Sequence, residues 1–267
     1  MDAMSDTLTL AIDGGIARVT LNRPDRHNAF NAELIGAIKA AFDRIAATPG
    51  VRAVVLRGAG KSFSAGADLD YMKAAGGWSR EENEADGQRL SDMLASIADC
   101  PCPVIAVAHG NVFGGGVGLV ACADMVVGVA GVKLRLSEVR LGLTPATISP
   151  FVIAAIGARQ ARRWFATAEL FGIDEAVAMG LVHRAAADMA EAETVVDAWL
   201  AAILEAAPGA VADAKRLVAD FAGREITPAL RADSARRIAA RRADPEAAEG
   251  LSAFLDKRSP NWINNNA

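Results

Sequence analysis

The chain has 267 residues, of which 52% are hydrophobic and 5% aromatic, and its formal net charge at pH 7 is −4. This length and composition allow one large α/β domain with a substantial core, and they exclude an intrinsically disordered protein. The small acidic surplus argues against nucleic-acid binding, which needs many Lys and Arg side chains to neutralise phosphates.

The cysteines and the apolar stretches of the sequence indicate the cellular compartment in which we expect the protein. Cys100, Cys102 and Cys122 are too few and too irregularly spaced for a disulfide framework or a zinc site, so we expect reduced thiols and no metal. Residues 1–7 lack the apolar core of a signal peptide. The longest apolar stretch, residues 117–130, contains Gly and Asp and is shorter than the ~20 residues that cross a bilayer. We therefore expect a cytoplasmic protein without a membrane segment.

Predicted strands open the chain. Residues 8–12 and 16–21 flank Asp13-Gly14-Gly15 and together predict a β-hairpin. Asn31 is a candidate N-cap for a helix whose apolar residues recur at helical spacing as far as Ile45.

Strands and helices then alternate. Residues 53–56, 104–107 and 125–129 are short continuous apolar runs, which are typical of buried parallel strands. Residues 82–98 and 115–122 predict helices between them, and residues 71–84 are predicted as a polar loop that contributes to a ligand pocket. This rhythm predicts a βαβ core with right-handed crossovers.

The pattern changes after residue 187, where strand signals become rare. The chain therefore divides into an α/β core, residues 1–190, and a helical region, residues 191–267. We expect the Ala-rich helices of the second region to pack against the core or against a neighbouring subunit. They are predicted at residues 188–205, 208–222, 227–242 and 246–256.

Two glycine-rich turns invite phosphate-binding interpretations that their spacing excludes. A P-loop that ends at Gly60-Lys61-Ser62 requires Gly at the position of Val55. A dinucleotide-binding turn that begins at Gly114 requires Gly at the position of Leu119.

The same two turns favour a different chemistry. Residues 64–68 and 114–116 are small and each follow a buried strand, and the ends of parallel strands lie at the same edge of a sheet. Small residues leave backbone N–H groups uncovered, and a helix start directs them outward. Two such groups that converge would form an oxyanion hole. The alternative is that both are ordinary tight turns.

Several segments occur together in a characteristic order. They are residues 21–24 with Asn28-Ala29, residues 61–69, residues 103–106 leading to 114–116, residues 136–143 with Pro145, residues 176–182 and residues 254–258. In this order the chain resembles the crotonase (enoyl-CoA hydratase/isomerase) superfamily over essentially its whole length.

The resemblance implies a fold, a substrate and an assembly. The fold is a ClpP-like spiral of ββα units whose C-terminal helices trimerise, and the trimers often pair into hexamers. The substrate is an acyl-CoA thioester, bound in a bent shape, and no separate cofactor is needed. By position, Ala67 and Gly115 are similar to the two oxyanion-hole donors. The residues that match substrate-binding positions are Arg26, His27, Ala65, Asp68, Leu69, Gly114, Pro145, Ala146 and Lys257, the last commonly reaching a CoA phosphate from a neighbouring subunit.

The chain departs from the family pattern at one carboxylate. Hydratases of the family use two glutamates; the second matches Glu138, whereas the first would fall on Gly118. This substitution bears on the mechanism rather than on the fold. Residues 136–151 resemble bacterial hydratases of the methylglutaconyl-CoA or isohexenylglutaconyl-CoA type, which also tend to lack the first glutamate.

Three functions follow as hypotheses. The first is an enoyl-CoA hydratase in which Glu138 alone is base and acid, with the Ala146 N–H or Ser137 holding the water. The second is a Δ3,Δ2-enoyl-CoA isomerase, which needs only one base. The third is a non-catalytic acyl-CoA-binding paralogue, which a retained buried carboxylate disfavours. A structural alternative for Glu138 is an ion pair with Arg135 or Arg140, either of which could instead meet a carboxylate on the substrate.

Overall fold

The computed structural model describes residues 2–264, with side chains for residues 6–263. Most strands belong to one sheet with the order β1-β2-β3-β4-β5-β7-β9, and two short strands form a second sheet. The strands are β1 (Asp2–Ser5), β2 (Leu8–Asp13), β3 (Ile16–Leu21), β4 (Ala53–Gly58), β5 (Val104–Ala108), β6 (Asn111–Phe113), β7 (Met125–Val129), β8 (Lys133–Arg135) and β9 (Arg184–Ala186).

Helices cover both faces of the main sheet and make up most of the C-terminal region. Short 3₁₀ helices occur at Pro24–Arg26 and Glu138–Leu141. The α-helices are α1 (Ala32–Ala47), α2 (Leu69–Ala75), α3 (Arg80–Ala98), α4 (Gly115–Cys122), α5 (Ser149–Thr167), α6 (Ile173–Ala178), α7 (Met189–Glu205), α8 (Pro208–Phe221), α9 (Pro228–Arg242), α10 (Pro245–Leu255) and α11 (Asn261–Asn264).

The main sheet confirms the predicted hairpin and the buried parallel strands. β1, β2 and β3 pair antiparallel, and every pair from β3 onward is parallel. All five residues of β5 are buried, which explains why its sequence is apolar without alternation.

Helix α1 begins directly after Asn31, the N-cap that the sequence predicts. The Asn31 side chain accepts a hydrogen bond from the Leu34 N–H at 2.9 Å, which satisfies one of the unpaired donors at the helix start. Its buried face includes Leu34, Ile38 and Phe42, and α1 packs against α3.

Two apolar layers form, one on each side of the main sheet. The larger layer includes buried residues of α1, α3, α4 and α5. The other joins Val55 of β4 and Val107 of β5 to Val196 and Leu200 of α7. The predicted division at residues 190 and 191 therefore falls in the first turn of a helix that covers the sheet. The division itself stays a prediction.

The second sheet, which no sequence pattern predicted, positions the glycine-rich turns. β6 and β8 are parallel, with Phe113 in register with Arg135. Isolated bridges extend this sheet on both sides, from Ser64 to Val112 and from Leu134 to Phe171. The segment after β4 is thereby held beside the segment before α4.

The predicted polar loop at residues 71–84 is wrong, because most of it is helical. Asp68 caps α2, and Ser79 caps α3 in a capping box with Glu82. The Ser-x-x-Glu spacing at 79–82 is the signature of such a start, so the sequence carried the signal. The predicted helices of the C-terminal region match α7, α8, α9 and α10 to within two residues at each end.

Among residues 2–264, no single helix has the length and apolar character to cross a membrane. α7 and α8 meet that criterion only as a pair, and they are bent by 110° at the break between them.

Candidate active site

The turn after β4 and the start of α4 lie side by side. A Cβ atom built on Gly66 would lie 2.6 Å from the Phe113 carbonyl oxygen and 3.4 Å from the Gly115 nitrogen. Gly66 also has a φ of +84°, which L side chains rarely adopt. The close approach of the two turns therefore depends on glycine at this position.

Ala67 and Gly115 each present a free backbone N–H. The bridge between Phe30 and Ala67 uses the N–H groups of Phe30 and Asp68, at 2.6 and 2.8 Å, and leaves that of Ala67 unused. Gly115 is the first residue of α4, where no intrahelical acceptor exists. Neither N–H has an acceptor among the described residues. Ala67 is exposed and Gly115 half-buried, so a ligand can reach both.

Phe30 connects the two turns. Its backbone pairs with the Ala67 segment, and its ring packs against the start of α4. A Cβ on Gly115 would lie 2.5 Å from Phe30 Cε2, so no other residue fits there without displacing the ring. Packing therefore requires glycine in each of the two turns, at Gly66 and at Gly115.

Glu138 reaches the start of α4 through the register of the second sheet. The Gly114 N–H donates to the Arg135 carbonyl at 2.9 Å, and the chain then turns into the 3₁₀ helix that begins at Glu138. A Cβ on Gly114 would lie 3.2 Å from Glu138 Oε1. The glutamate and the free N–H of Gly115 therefore share one end of α4.

The Glu138 side chain is half-buried, and no other described residue pairs with its carboxylate. Its Oε2 has no hydrogen-bond partner among the described residues, and no ion pair with Arg135 or Arg140 is found there. Burial raises the pKa of Glu138, and a hydrogen bond from its own backbone N–H opposes this only in part. A carboxyl group in this state can accept and return a proton.

There is no room for a side chain at Gly118, where the resemblance places the family's first glutamate. A Cβ on Gly118 would lie 2.5 Å from Ile148 Cγ2, 3.0 Å from Ile148 Cβ and 3.5 Å from Leu94 Cδ2. Ile148 and Leu94 are both buried. A branched apolar side chain thus fills the space next to Gly118 in α4.

The Asp68 carboxylate is hydrogen-bonded to neighbouring groups of the chain. Its carboxylate accepts from Arg23 Nη2 at 3.0 Å and from the Asp70 N–H at 3.0 Å. Burial opposes ionisation of Asp68, but the hydrogen bonds from Arg23 and Asp70 outweigh it and lower its pKa. The side chain therefore fixes the turn that carries Ala67.

Asn28 is a positioning residue that sequence reasoning gave no role. It is buried with a φ of +54°. Its Nδ2 donates to the carbonyl oxygens of Ala59 and Ser62 at 2.9 and 2.8 Å, and its Oδ1 accepts from the Arg23 N–H at 2.8 Å. The two hydrogen bonds from Nδ2 join the loop after β3 to the loop after β4, and the bond to Oδ1 orders the first of these loops.

Four predicted substrate-binding residues form an exposed rim beside Ala67. Arg26 is exposed and pairs with Asp70 at 3.2 Å. His27 Nδ1 lies 3.0 Å from Ser62 Oγ, and its carbonyl accepts from the Ala65 N–H at 2.9 Å. Leu69 is 78% exposed.

The other predicted residues lie apart from this rim. Pro145 is buried and Ala146 exposed in the turn that leads to Ile148. The Ala146 carbonyl accepts from the Ser149 hydroxyl at 2.7 Å. Lys257 is exposed after α10, which packs on α9, and no contact among the described residues brings it to Glu138.

Comparison with known proteins agrees with this architecture. A model of the enoyl-CoA hydratase/isomerase family matches residues 11–265. An enoyl-CoA hydratase of Alternaria alternata is 36% identical over 207 residues, which are 76% of this chain and 66% of that protein.

Solved structures share the fold over almost the whole chain. An enoyl-CoA hydratase from Shewanella pealeana is 34% identical, with a TM-score of 0.93 and 96% of each chain covered. Another from Mycobacterium smegmatis is 34% identical, with a TM-score of 0.90, 97% of this chain covered and 99% of the other. These findings confirm the predicted fold class and superfamily. The chain belongs to the enoyl-CoA hydratase/isomerase family, the crotonases.

Proposed function

We propose that this chain is an enoyl-CoA hydratase that adds water across the Cα–Cβ double bond, with Glu138 as its single acid–base residue. One observation carries the proposal: a half-buried carboxylate that pairs with no other described residue lies at the same helix end as a free backbone N–H. Family membership supports hydratase or isomerase chemistry in general, and the site residues support this particular form of it.

The two free N–H groups would hold the thioester oxygen. As water attacks Cβ, negative charge accumulates on that oxygen, and Ala67 and Gly115 would donate hydrogen bonds to it. Each donor in such a hole contributes about 3–4 kcal/mol to transition-state stabilisation. Gly115 adds the positive end of the α4 dipole.

Glu138 would carry out both proton transfers of the reaction. In its ionised form it takes a proton from the attacking water, whose oxygen bonds to Cβ, and it then returns that proton to Cα on the same face. The product gains one hydrogen at Cα and one hydroxyl at Cβ. A pKa raised by burial suits this work, because proton transfer is efficient when the pKa of the group is close to the working pH.

The substrate carries the coenzyme with it, so the proposed reaction needs no separate cofactor. The exposed rim of Arg26, His27, Ala65 and Leu69 is suited to the adenine and pantetheine portions. The acyl group is proposed to be branched or of the methylglutaconyl type, because residues 136–151 resemble hydratases that act on such groups.

A specific observation favours Δ3,Δ2-enoyl-CoA isomerisation as a second candidate. The apolar Ile148 fills the place of a second carboxylate, which in two-glutamate hydratases helps to hold the water. Moving a proton between Cγ and Cα needs one base and no water.

A substrate panel separates the candidates. Crotonyl-CoA, 3-methylglutaconyl-CoA and 3-hexenoyl-CoA would each be incubated in ¹⁸O-labelled water with the wild-type chain and with Glu138→Ala. A hydratase produces 3-hydroxyacyl-CoA that contains the label, whereas an isomerase converts 3-hexenoyl-CoA into the 2-enoyl isomer without the label. Binding of all three thioesters without turnover would contradict both candidates and favour the non-catalytic paralogue.

We also propose that the active form is a homotrimer or a dimer of trimers. Helix α10 exposes Leu251, Phe254 and Leu255, at 64%, 80% and 76%, and such an apolar surface is typical of an interface. Lys257 follows directly and would reach the CoA phosphate of a neighbouring subunit. Light scattering on the purified chain measures the assembly, and a monomer with full activity would overturn the proposal.

A further inference from the structure

Two cysteines outside the candidate active site lie close enough to react with each other. Cys100 and Cys102 flank Pro101 between the end of α3 and the start of β5, and their sulfur atoms are 3.6 Å apart. Both are free thiols in this structure. A disulfide bond requires a separation of about 2.05 Å, so the sulfurs need to approach by only about 1.5 Å.

Clefts reach the pair from two sides although both residues are largely buried. Cys100 and Pro101 line a cleft of about 470 Å³ between the end of α3 and α8. Pro101 and Cys102 line a second cleft, of about 90 Å³, near the start of α8. Both clefts therefore border the loop that carries the two cysteines, which are 2% and 8% exposed.

The surroundings shift the pKa values of the two thiols in opposite directions. The hydrogen bond from the Cys102 thiol lowers the pKa of Cys100 against the opposing effect of burial, and the Lys215 charge assists. The same hydrogen bond and burial raise the pKa of Cys102. Lys215 is held in place by Asp124 Oδ2 at 2.7 Å and by the Cys102 carbonyl at 3.3 Å. In the proposal that follows, Cys100 is assigned as the nucleophile of the pair and Cys102 as its resolving partner.

We propose that Cys100 and Cys102 form a reversible dithiol–disulfide site that is oxidised by hydroperoxides. The Cys100 thiolate attacks the peroxide, which breaks the O–O bond, and gives the sulfenic acid and hydroxide. The Cys102 sulfur then attacks the Cys100 sulfur, the S–O bond breaks, and the oxygen leaves as water with the Cys102 proton. In total, two thiols and one hydrogen peroxide give one disulfide and two waters.

The third cysteine provides an internal control. Cys122 is buried, and burial raises the pKa of its thiol. It has no sulfur partner comparable to the Cys100–Cys102 pair among the described residues. We therefore expect Cys122 to stay reduced under conditions that oxidise the other two.

Mass spectrometry of the full chain tests the proposal. The folded protein is treated with one to two equivalents of hydrogen peroxide, then unfolded and alkylated without reductant. The chain has three cysteines, and we expect alkylation of Cys122 alone, a loss of two hydrogens from the segment that contains Cys100 and Cys102, and return of all three alkylation sites after dithiothreitol. Three alkylated cysteines after peroxide, or a disulfide that includes Cys122, would overturn the proposal.

Single substitutions test the roles of the two sulfurs. In Cys102→Ser the sulfenic acid at Cys100 has no resolving thiol, so dimedone should trap it. In Cys100→Ser the remaining Cys102 should react at least about tenfold more slowly with peroxide, because only thiolates are nucleophilic. Cys122→Ser is the matched control and should form the disulfide at the wild-type rate. Equal peroxide reactivity of the Cys100→Ser and Cys102→Ser variants would contradict the assigned roles, and circular dichroism checks that each variant is folded.

Discussion

Ile148 occupies the space that any side chain at position 118 would need, with its Cγ2 atom 2.5 Å from the Cβ position of Gly118. Ile148 lies just before α5, and Gly118 lies in the middle of α4. A side chain at the position where the resemblance places the family's first glutamate would therefore collide with Ile148. Glu138 is left as the one carboxylate that the described residues place at this end of α4.

Substitution of Gly118 by Ala should destabilise the fold. The new methyl group meets the branched end of Ile148 close to its backbone, and overpacking of this kind costs about 1–3 kcal/mol. A gain in helix propensity of about 0.5–1 kcal/mol offsets part of that cost. Urea denaturation measures the change in the free energy of unfolding.

Two companion variants give this measurement its controls. Gly36 lies within α1 with nothing near its Cβ position, so Gly36→Ala should be neutral or stabilising. Adding Ile148→Ala to Gly118→Ala should cost less than the sum of the two single substitutions, because it removes the colliding methyl group. Strict additivity would contradict the contact.

Replacement of Glu138 by Gln should change how stability depends on pH. Burial raises the pKa of Glu138, so the folded state binds more protons than the unfolded state between the two pKa values. The wild-type chain therefore loses stability relative to Glu138→Gln as the pH rises from about 4.3, the ordinary value for glutamate, through the raised pKa. Below that window the difference between the two proteins is constant. Thermal unfolding across pH 4–8 measures this, with the exposed Glu84→Gln as control; parallel curves for wild type and Glu138→Gln would contradict the pKa shift.

Substitution of Asp68 by Asn should weaken both the fold and the reaction. Asp68 and Arg23 are only 7% and 16% exposed, and loss of the charge leaves Arg23 buried without its partner. We expect a cost of about 2–3 kcal/mol, below the full value for a deeply buried pair because water still reaches both side chains. The kcat should also fall, because Asp68 fixes the turn that carries Ala67.

The neighbouring Asp70 provides the matched control for Asp68. Its ion pair with Arg26 is 78% and 60% exposed, and exposed pairs contribute little. Asp70→Asn should therefore change stability by less than about 0.5 kcal/mol. Equal losses of stability in the two variants would show that Asp68 does not act through its buried pair.

Substitution of Gly66 by Ala should separate the two N–H donors. The added methyl group would press on the Phe113 carbonyl, 2.6 Å away, and shift Ala67 relative to Gly115. We expect kcat/KM to fall about 10²-fold or more, as for the loss of one donor. Gly50→Ala is the control, since Gly50 has a φ of +83° and nothing within 4 Å of its Cβ position. It carries the same backbone strain, and its kcat/KM should be unchanged; a similar loss in both variants would contradict the role of the Gly66 contact.

Local patterns predicted α1, several strands of the main sheet and the helices of the C-terminal region, but not α5. Asn31 marks the start of α1, and continuous apolar runs mark β4, β5 and β7, because burial on both faces leaves a direct record in the sequence. The same patterns did not predict β6 and β8, which are three residues each and are stabilised by partners far along the chain. Only family resemblance pointed to Glu138, since its position depends on the register between Phe113 and Arg135.

The role of Ile148 was also inaccessible from sequence. Its contact with Gly118 joins the middle of one helix to the turn before another, and no periodicity relates the two positions. Asn28 is a similar case, since its hydrogen bonds to Ala59 and Ser62 cross more than thirty residues.

The second sheet has a consequence for the order in which the chain folds. It joins the Ser64 bridge to β6, β6 to β8, and Leu134 to Phe171, so the sheet as a whole draws on a stretch from residue 64 to residue 171. Each pairing closes a loop in the chain, and the outermost one needs Phe171. A nascent chain that has not yet emerged as far as Phe171 therefore lacks the outermost support of the segment that delivers Glu138, and catalytic competence arises only after most of the polypeptide has been synthesised.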